Sequence, residues 1–125
     1  ALARRLQDTW GVEVAALPMG VPDPLDPRPA VSPAAIRSRH GVPEGAVVVG
    51  AVGGVTPEKR LPELLAAMAA LGERQPHLHL LVVGATAAHY DIVADAAARG
   101  LAGRVHVTGF VDDAELGAYL AAIDI

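Results

Sequence analysis

The chain has 125 residues, of which 52 % are apolar and 3 % aromatic, and its formal net charge is −4. Its acidic and basic residues are interspersed, which argues against a nucleic-acid-binding surface, and the absence of cysteine excludes disulfides, zinc–thiolate sites and thiol catalysis. No apolar run approaches the roughly 18 residues of a membrane span, so we predict no transmembrane segment.

The N-terminal region predicts a helix end and a linker. Residues 1–10 have an amphipathic pattern closed by Gly11, with Arg4 and Arg5 on a solvated face and Trp10 as a packing residue. Residues 12–18 predict a short strand.

A proline-rich stretch follows. Because proline removes backbone donors, residues 19–33 predict an irregular linker. Ser32 and Pro33 predict the cap and first turn of a short helix. We therefore divide the chain into residues 1–32, a helix end with a linker, and residues 33–125, the folded part.

The folded part alternates strands with helices. Apolar runs that end in glycine predict buried strands at residues 46–53, 78–84 and 104–109. Apolar residues at helical spacing predict helices at residues 61–71, 87–99 and 112–123. The last three residues predict the start of another strand. This order indicates the α/β class, with a Rossmann-like parallel sheet and flanking helices.

Glycines mark the carboxyl end of every predicted strand, where open parallel sheets bind ligands. These glycines are Gly53 and Gly54, Gly84, and Gly109. Lys59, the only lysine of the chain, and Arg60 follow the first of these turns. Uncovered amides, a helix N-terminus and two cations together predict a diphosphate site. The alternative is that the glycines only form tight turns and that both cations are solvated.

Two familiar phosphate-binding fingerprints are absent from this stretch. The dinucleotide pattern GxGxxG requires glycine where Val52 stands, and the ATP-binding loop requires Ser or Thr after its lysine, where Arg60 stands.

Three phrases in order, "VVVGAVGGVTPEKRLPELLAAMAAL", "LHLLVVG" and "LAGRVHVTGFVDDAELGAYLAAIDI", resemble the nucleotide-binding domain of family 4 glycosyltransferases of GT-B fold. The preceding "VAALPMGVPDP" resembles the linker into that domain. The resemblance implies that residues 33–125 are the N-terminal part of a nucleotide-sugar-binding domain, an incomplete half of the GT-B C-terminal domain. It implies an enzyme that transfers a sugar, with retention, from a nucleotide diphosphate sugar to an acceptor.

The resemblance also assigns roles to residues. Lys59 would bind the leaving diphosphate without a metal or a further cofactor. Many members carry an arginine where this chain has Gly54, and Arg60 is the candidate that would replace it. The turns at Gly84 and at Gly109–Val111 would line the nucleotide, with the backbone of Phe110 and Val111 near the base; the alternative for Phe110 is a core aromatic.

Part of the family's site is not found in the sequence. The family places two glutamates eight positions apart, and no pair of glutamates here has that spacing. We assign no catalytic residue within the chain and expect the isolated chain to be inactive. We also expect a piece of a longer cytoplasmic protein, working at the inner membrane surface in its full-length form, and self-association through an incomplete sheet edge.

Other candidates have simple explanations. His77 and His79 alternate onto one face, but two ligands make a weak metal site, and a solvated strand entry is the favoured interpretation. His40, His89 and His106 are scattered and predict no shared site. Asp112 and Asp113 are explained by a helix cap. Two other functions stay open, a sugar-nucleotide epimerase of the same architecture and a non-catalytic α/β binding module.

Overall fold

The computed structural model describes residues 2–13, 15, 20, 23 and 29–125. Most of the predicted linker therefore lies outside the described residues. Of the strand predicted at residues 12–18, Val12, Glu13 and Ala15 lie in no strand, and the others lie outside the described residues.

The described part of the chain alternates helices and strands as predicted. The helices are α1 (Leu2–Trp10), α2 (Pro33–Arg39), α3 (Leu61–Leu71), α4 (Ile92–Ala98) and α5 (Asp113–Ala121). The strands are β1 (Val47–Val52), β2 (Leu78–Val83) and β3 (Val105–Val107). None of the described helices is long and apolar enough to cross a membrane.

The three strands form one parallel sheet in the order β1-β2-β3. In its register, Val48 pairs with His79 and Leu81 pairs with His106. On the other side of β1, Ile125 N–H donates to the Val48 carbonyl at 3.2 Å, and the Ile125 carbonyl accepts from Gly50 N–H at 2.9 Å. These two bonds are the pattern of a parallel bridge. The last three residues form no strand of their own, but these bonds place Ile125 beside β1, so the predicted further strand stays a prediction.

Helices cover both faces of the sheet, which gives two cores. On one face, α2 and α5 pack over β1 and β2; the buried residues there are Ile36, Val42, Ala46, Val48, Leu81, Val83, Ala118, Tyr119 and Ala122. On the other face, α3 and α4 pack; the buried residues there are Val55, Leu61, Leu65, Met68, Leu80, Val82, Ile92, Ala96 and Leu101. Alternation along β2, a strand buried almost throughout, supplies both cores.

Side-chain caps fix the helix starts. Ser32 Oγ accepts from Ala35 N–H at 3.2 Å, which confirms the predicted cap of α2. Asp112 accepts from Glu115 N–H at 2.9 Å, which confirms the cap of α5. The prediction that the next-to-last helix begins at residue 87 is wrong, because Asp91 caps α4 by accepting the N–H groups of Val93 and Ala94 at 3.0 Å.

Two burial predictions are wrong. β1 was predicted to be buried on both faces, but Val47 and Val52 at its ends are exposed, because the described sheet flanks β1 fully on the β2 side only. Trp10 was predicted to pack at the helix end, but 72 % of its surface is exposed. Arg4 and Arg5 are exposed, as predicted.

Candidate functional site

The glycine turns at the three strand ends meet at one edge of the sheet. Gly53 N–H donates to the Val83 carbonyl at 2.9 Å, which ties the first turn to β2. Gly84 and Gly109 form an isolated antiparallel bridge, which ties the second turn to the third. The predicted convergence of these strand ends is confirmed.

At Gly84 the backbone of the second turn lies in direct contact with the backbone of Gly53. Its φ of +154° lies in a region that L side chains rarely adopt, and a Cβ built there would overlap the Gly53 carbonyl oxygen and lie 2.7 Å from the Gly53 carbonyl carbon. Two backbones therefore touch where one side chain would separate them. This contact fixes the position of the Gly53 turn relative to the end of β2.

Lys59 lines a cavity beside the first turn. A short 3-10 turn over Pro57–Lys59 follows Thr56 and places the lysine beside Gly53 and Gly54. We call the cavity of about 200 Å³ the lysine cavity; its lining residues are Ala51, Val52, Gly53, Gly54, Lys59, Leu61 and Val82. The described residues give Lys59 no ion-pair partner. Its charge is therefore available to a ligand.

A second cavity lies on the other side of the same turn. We call this volume of about 250 Å³ the phenylalanine cavity; its lining residues are Val52, Gly53, Gly54, Val83, Gly84, Ala85, Phe110, Val111 and Leu116. Phe110 exposes 81 % of its surface, so its interpretation as a core aromatic is wrong. Val111 is half-buried. The two cavities share Val52, Gly53 and Gly54.

Backbone donors at the first turn are only partly free. Gly53 N–H is used by the Val83 carbonyl, whereas Gly54 N–H donates to no acceptor among the described residues. A Cβ at Gly54 would meet nothing within 4 Å. Of the two glycines predicted for this turn, Gly54 therefore offers the amide to a ligand.

Arg60 lies beside Lys59 but lines neither cavity. Its Nε donates to Glu63 Oε1 at 2.8 Å, and both side chains are exposed. Arg60 has a φ of +62°, and within the described part of the chain it is the only non-glycine residue with a positive φ. Its assignment as the second cation stays a prediction, and reaching the cavity would require release of an exposed ion pair worth little in water.

Glu58, the sequence neighbour of Lys59, carries a negative charge. The pKa of Glu58 is lowered by its own backbone N–H and by the Thr56 hydroxyl, so this exposed carboxylate is ionised at neutral pH. It does not ion-pair with Lys59. Lys59 therefore lines the lysine cavity without an ion-pair partner among the described residues.

A larger cavity than these two, about 940 Å³, lies elsewhere. It lies near the amino end of β1, between α2 and the last residues, and is bordered by Arg37, Gly45 and Asp124. Arg37 is already occupied by Asp124 at 2.8 Å and by the Ala122 carbonyl at 2.9 Å. We therefore place the candidate site at the carboxyl edge of the sheet, beside Lys59, and not in this larger cavity.

Sequence reasoning missed a cluster of histidines on the α2–α5 face. His79 is 7 % exposed rather than solvated, and its Nδ1 lies 3.0 Å from His106 Nε2. His40 Nε2 lies 3.1 Å from the Tyr119 hydroxyl. Only the strand register could have shown that His79 and His106 share a face. Within the described residues there is no group of three or more ligands able to hold a metal ion.

The chain is similar to known proteins both in sequence and in fold. Residues 33–125 match the family described as "Glycosyl transferases group 1". The chain is 36 % identical over 110 residues to a 2-deoxystreptamine glucosyltransferase of Streptomyces kanamyceticus, a match that covers 84 % of this chain and 28 % of that protein.

Among solved structures, the fold is similar to a sucrose-phosphate synthase of Thermosynechococcus elongatus. The TM-score is 0.58 at 22 % identity, over 96 % of this chain and 31 % of the other. The chain thus spans less than a third of the length of either protein.

Proposed function

The chain belongs to the glycosyl transferases of group 1, and we propose that the cleft at its strand ends binds the nucleoside diphosphate part of a nucleotide sugar. The observation that carries this proposal is the pair of cavities that meet at the turn Val52–Gly54. The lysine cavity has the charge of Lys59, which pairs with no described residue. The phenylalanine cavity is mostly apolar and has the exposed ring of Phe110. A nucleoside diphosphate has the same two parts, an anion and a flat base.

Lys59 is proposed to bind the diphosphate and to stabilise it as it leaves. The Nζ charge has no ion-pair partner in the described residues, and Gly54 N–H is free beside it. Charge-assisted hydrogen bonds to a phosphate are about twice as strong as neutral ones. Positive groups aimed at developing negative charge lower the barrier to its departure. These groups would do so without a metal ion.

The finer parts of the activity rest on family membership. The relative from Streptomyces kanamyceticus is named as a glucosyltransferase, which supports a hexose as the transferred sugar. We propose that the transfer retains the configuration at the anomeric carbon. We also propose that the 125-residue chain alone transfers no sugar, because the family's paired glutamates have no counterpart in it. Turnover by the chain in a sugar-transfer assay would contradict this last proposal.

The test of the site is a titration of the isotope-labelled chain with UDP, GDP and ADP at millimolar concentrations, followed by amide NMR. We expect shifts at Gly54, Gly84 and Phe110. Replacing Lys59 with alanine removes one charge-assisted contact, so the dissociation constant of the preferred diphosphate should rise about ten- to a hundredfold. Binding of the matching nucleoside should change much less.

The matched control is Arg74→Ala. Arg74 is an exposed cation in the turn after α3, and the 11 residues of α3 separate it from Lys59 by roughly 16 Å. It should leave diphosphate binding unchanged. Equal loss in the two variants would indicate a general charge effect, and absence of shifts with all three nucleotides would refute the donor site.

A further inference from the structure

Three histidines and a tyrosine connect four elements on the α2–α5 face. We call His40, His79, His106 and Tyr119 the histidine cluster. The rings of His79 on β2 and His106 on β3 are stacked, with centroids 5.2 Å apart and an interplanar angle of 21°. His40, directly after α2, packs against Tyr119 of α5 with centroids 5.4 Å apart. None of these residues has a part in the proposed donor site.

The two histidines of the sheet share one hydrogen bond. His79 Nδ1 and His106 Nε2 lie 3.0 Å apart. A ring nitrogen donates when it carries a proton and accepts when it does not, so one of these two nitrogens is protonated and the other is not.

This arrangement accommodates one additional proton but not two. A proton on the outer nitrogen of the donating ring leaves the bond between the rings intact. A second proton would have to enter the accepting nitrogen, and two N–H groups would then face each other across 3.0 Å. A facing pair of donors repels and cannot hydrogen-bond. The stacked arrangement therefore cannot survive in the doubly protonated pair.

The charged groups around the cluster make protonation still less favourable. Arg104 and His77 act on His79, and Arg39 acts on His40. The nearby carboxylate of Glu115, on α5, pairs with Arg39 at 3.6 Å. Most of these neighbours are cations, which disfavour a further positive charge on the histidine rings.

We propose that the histidine cluster is a proton-sensitive latch, which keeps β2 against β3 and α2 against α5 while its rings are neutral and loosens these contacts in acid. Tyr119 is buried in α5 and belongs to the same core as Val83 of β2. Val111, two residues before this helix, and Leu116, within it, line the phenylalanine cavity. Loosening of α5 therefore alters that cavity. The inference does not depend on what the cavity binds.

The direction of the pH dependence follows from burial. Desolvation is the largest effect on His40, His79 and His106, and it lowers the pKa of each ring. The unfolded chain, with ordinary histidine pKa values near 6.5, binds these protons more tightly. Stability is then fully present above about pH 6.5 and is lost as the pH falls below it.

The experiment measures urea unfolding of the chain between pH 7.5 and 4.5. Its variant combines His79→Asn and His106→Gln, because the Asn amide reaches the position of Nδ1 and the Gln amide that of Nε2, without titration. We expect the wild-type unfolding constant to rise with falling pH more steeply than that of the variant, by up to about two protons. The control His89→Gln, at an exposed histidine, should behave as wild type.

NMR titration of the wild-type histidine rings tests the latch even if the double variant does not fold. We expect His79 and His106 to titrate below the ordinary histidine pKa near 6.5, and the amides of residues 110–116 to shift together with them. Rings that titrate at the ordinary histidine pKa near 6.5, amides that stay unchanged through the ring titration, or equal pH slopes for wild type and a folded variant would each overturn the proposal.

Discussion

Gly84→Ala should be strongly destabilising, because the new methyl group has no space. The Cβ would overlap the Gly53 carbonyl oxygen and lie 2.7 Å from its carbon, whereas non-bonded carbons approach to about 3.5 Å. The two backbones must therefore part by roughly 1 Å. That movement disturbs the bonds Gly53 N–H to the Val83 carbonyl and Val55 N–H to the Ala85 carbonyl, both 2.9 Å.

The size of the effect can be summed from these parts. Placing an L residue at a φ of +154° costs about 1–3 kcal/mol, and each weakened backbone bond costs about 1 kcal/mol. We expect a loss of about 3–5 kcal/mol in the free energy of unfolding. For a domain of this size the melting temperature should fall by roughly 10–20 °C.

Two glycine variants serve as controls in the same thermal and urea unfolding assay. Gly54→Ala should stay within about 0.5 kcal/mol of wild type, because a Cβ there meets nothing within 4 Å. Gly50→Ala should lose about 1–3 kcal/mol, because its Cβ would overlap the Ile123 side chain, whose flexible end can move. Only Gly84→Ala should also shift the amide of Gly109, which bridges Gly84. A Gly84→Ala protein as stable as Gly54→Ala would refute the reasoning.

Two further predictions concern exposed side chains. Phe110→Ala should change the free energy of unfolding by less than about 0.5 kcal/mol, because the ring is 81 % exposed, and it should weaken nucleotide binding in the NMR titration; a strongly destabilised variant would show that the ring packs in the core. Asp124 has its pKa lowered by Val48 N–H and then by Arg37, so its contribution is present above its ordinary pKa near 4 and is lost as the pH falls below it. Asp124→Asn should therefore flatten the dependence of the melting temperature on pH between about 5 and 3, and an unchanged slope would contradict this account.

The order of strands and helices was predictable because local features determine it. The strands carry continuous β-branched runs that end in glycine, and caps such as Ser32 and Asp112 mark helix starts. The start of α4 was missed although Asp91 carries the same signal before an apolar run. The alanine-rich pattern upstream extended the predicted helix too far.

The histidine cluster could not be predicted in this way. Its members are separated by 27 residues between His79 and His106 and by 79 residues between His40 and Tyr119. Whether His79 and His106 meet depends on the register in which Leu81 pairs with His106. A slip of one residue would turn one ring to the opposite face, and no local pattern in either strand distinguishes the two registers.

The cleft was predicted in outline but not in detail. The glycines and Lys59 were recognisable as a group, since parallel strands bring their carboxyl ends to one edge. The direction of the Arg60 side chain and the exposure of Phe110 depend on contacts that the sequence does not encode locally.

The hydrogen bonds between Ile125 and β1 attach the chain at a second border of the sheet. α5 follows β3 in the chain, and the residues after it return beside β1, on the far side of β2. The two ends of a nine-residue helix are thus connected to opposite borders of one sheet, and Tyr119 lies between them. A displacement of α5 large enough to change the phenylalanine cavity at Leu116 would therefore also stretch the hydrogen bonds of Ile125 to Val48 and Gly50.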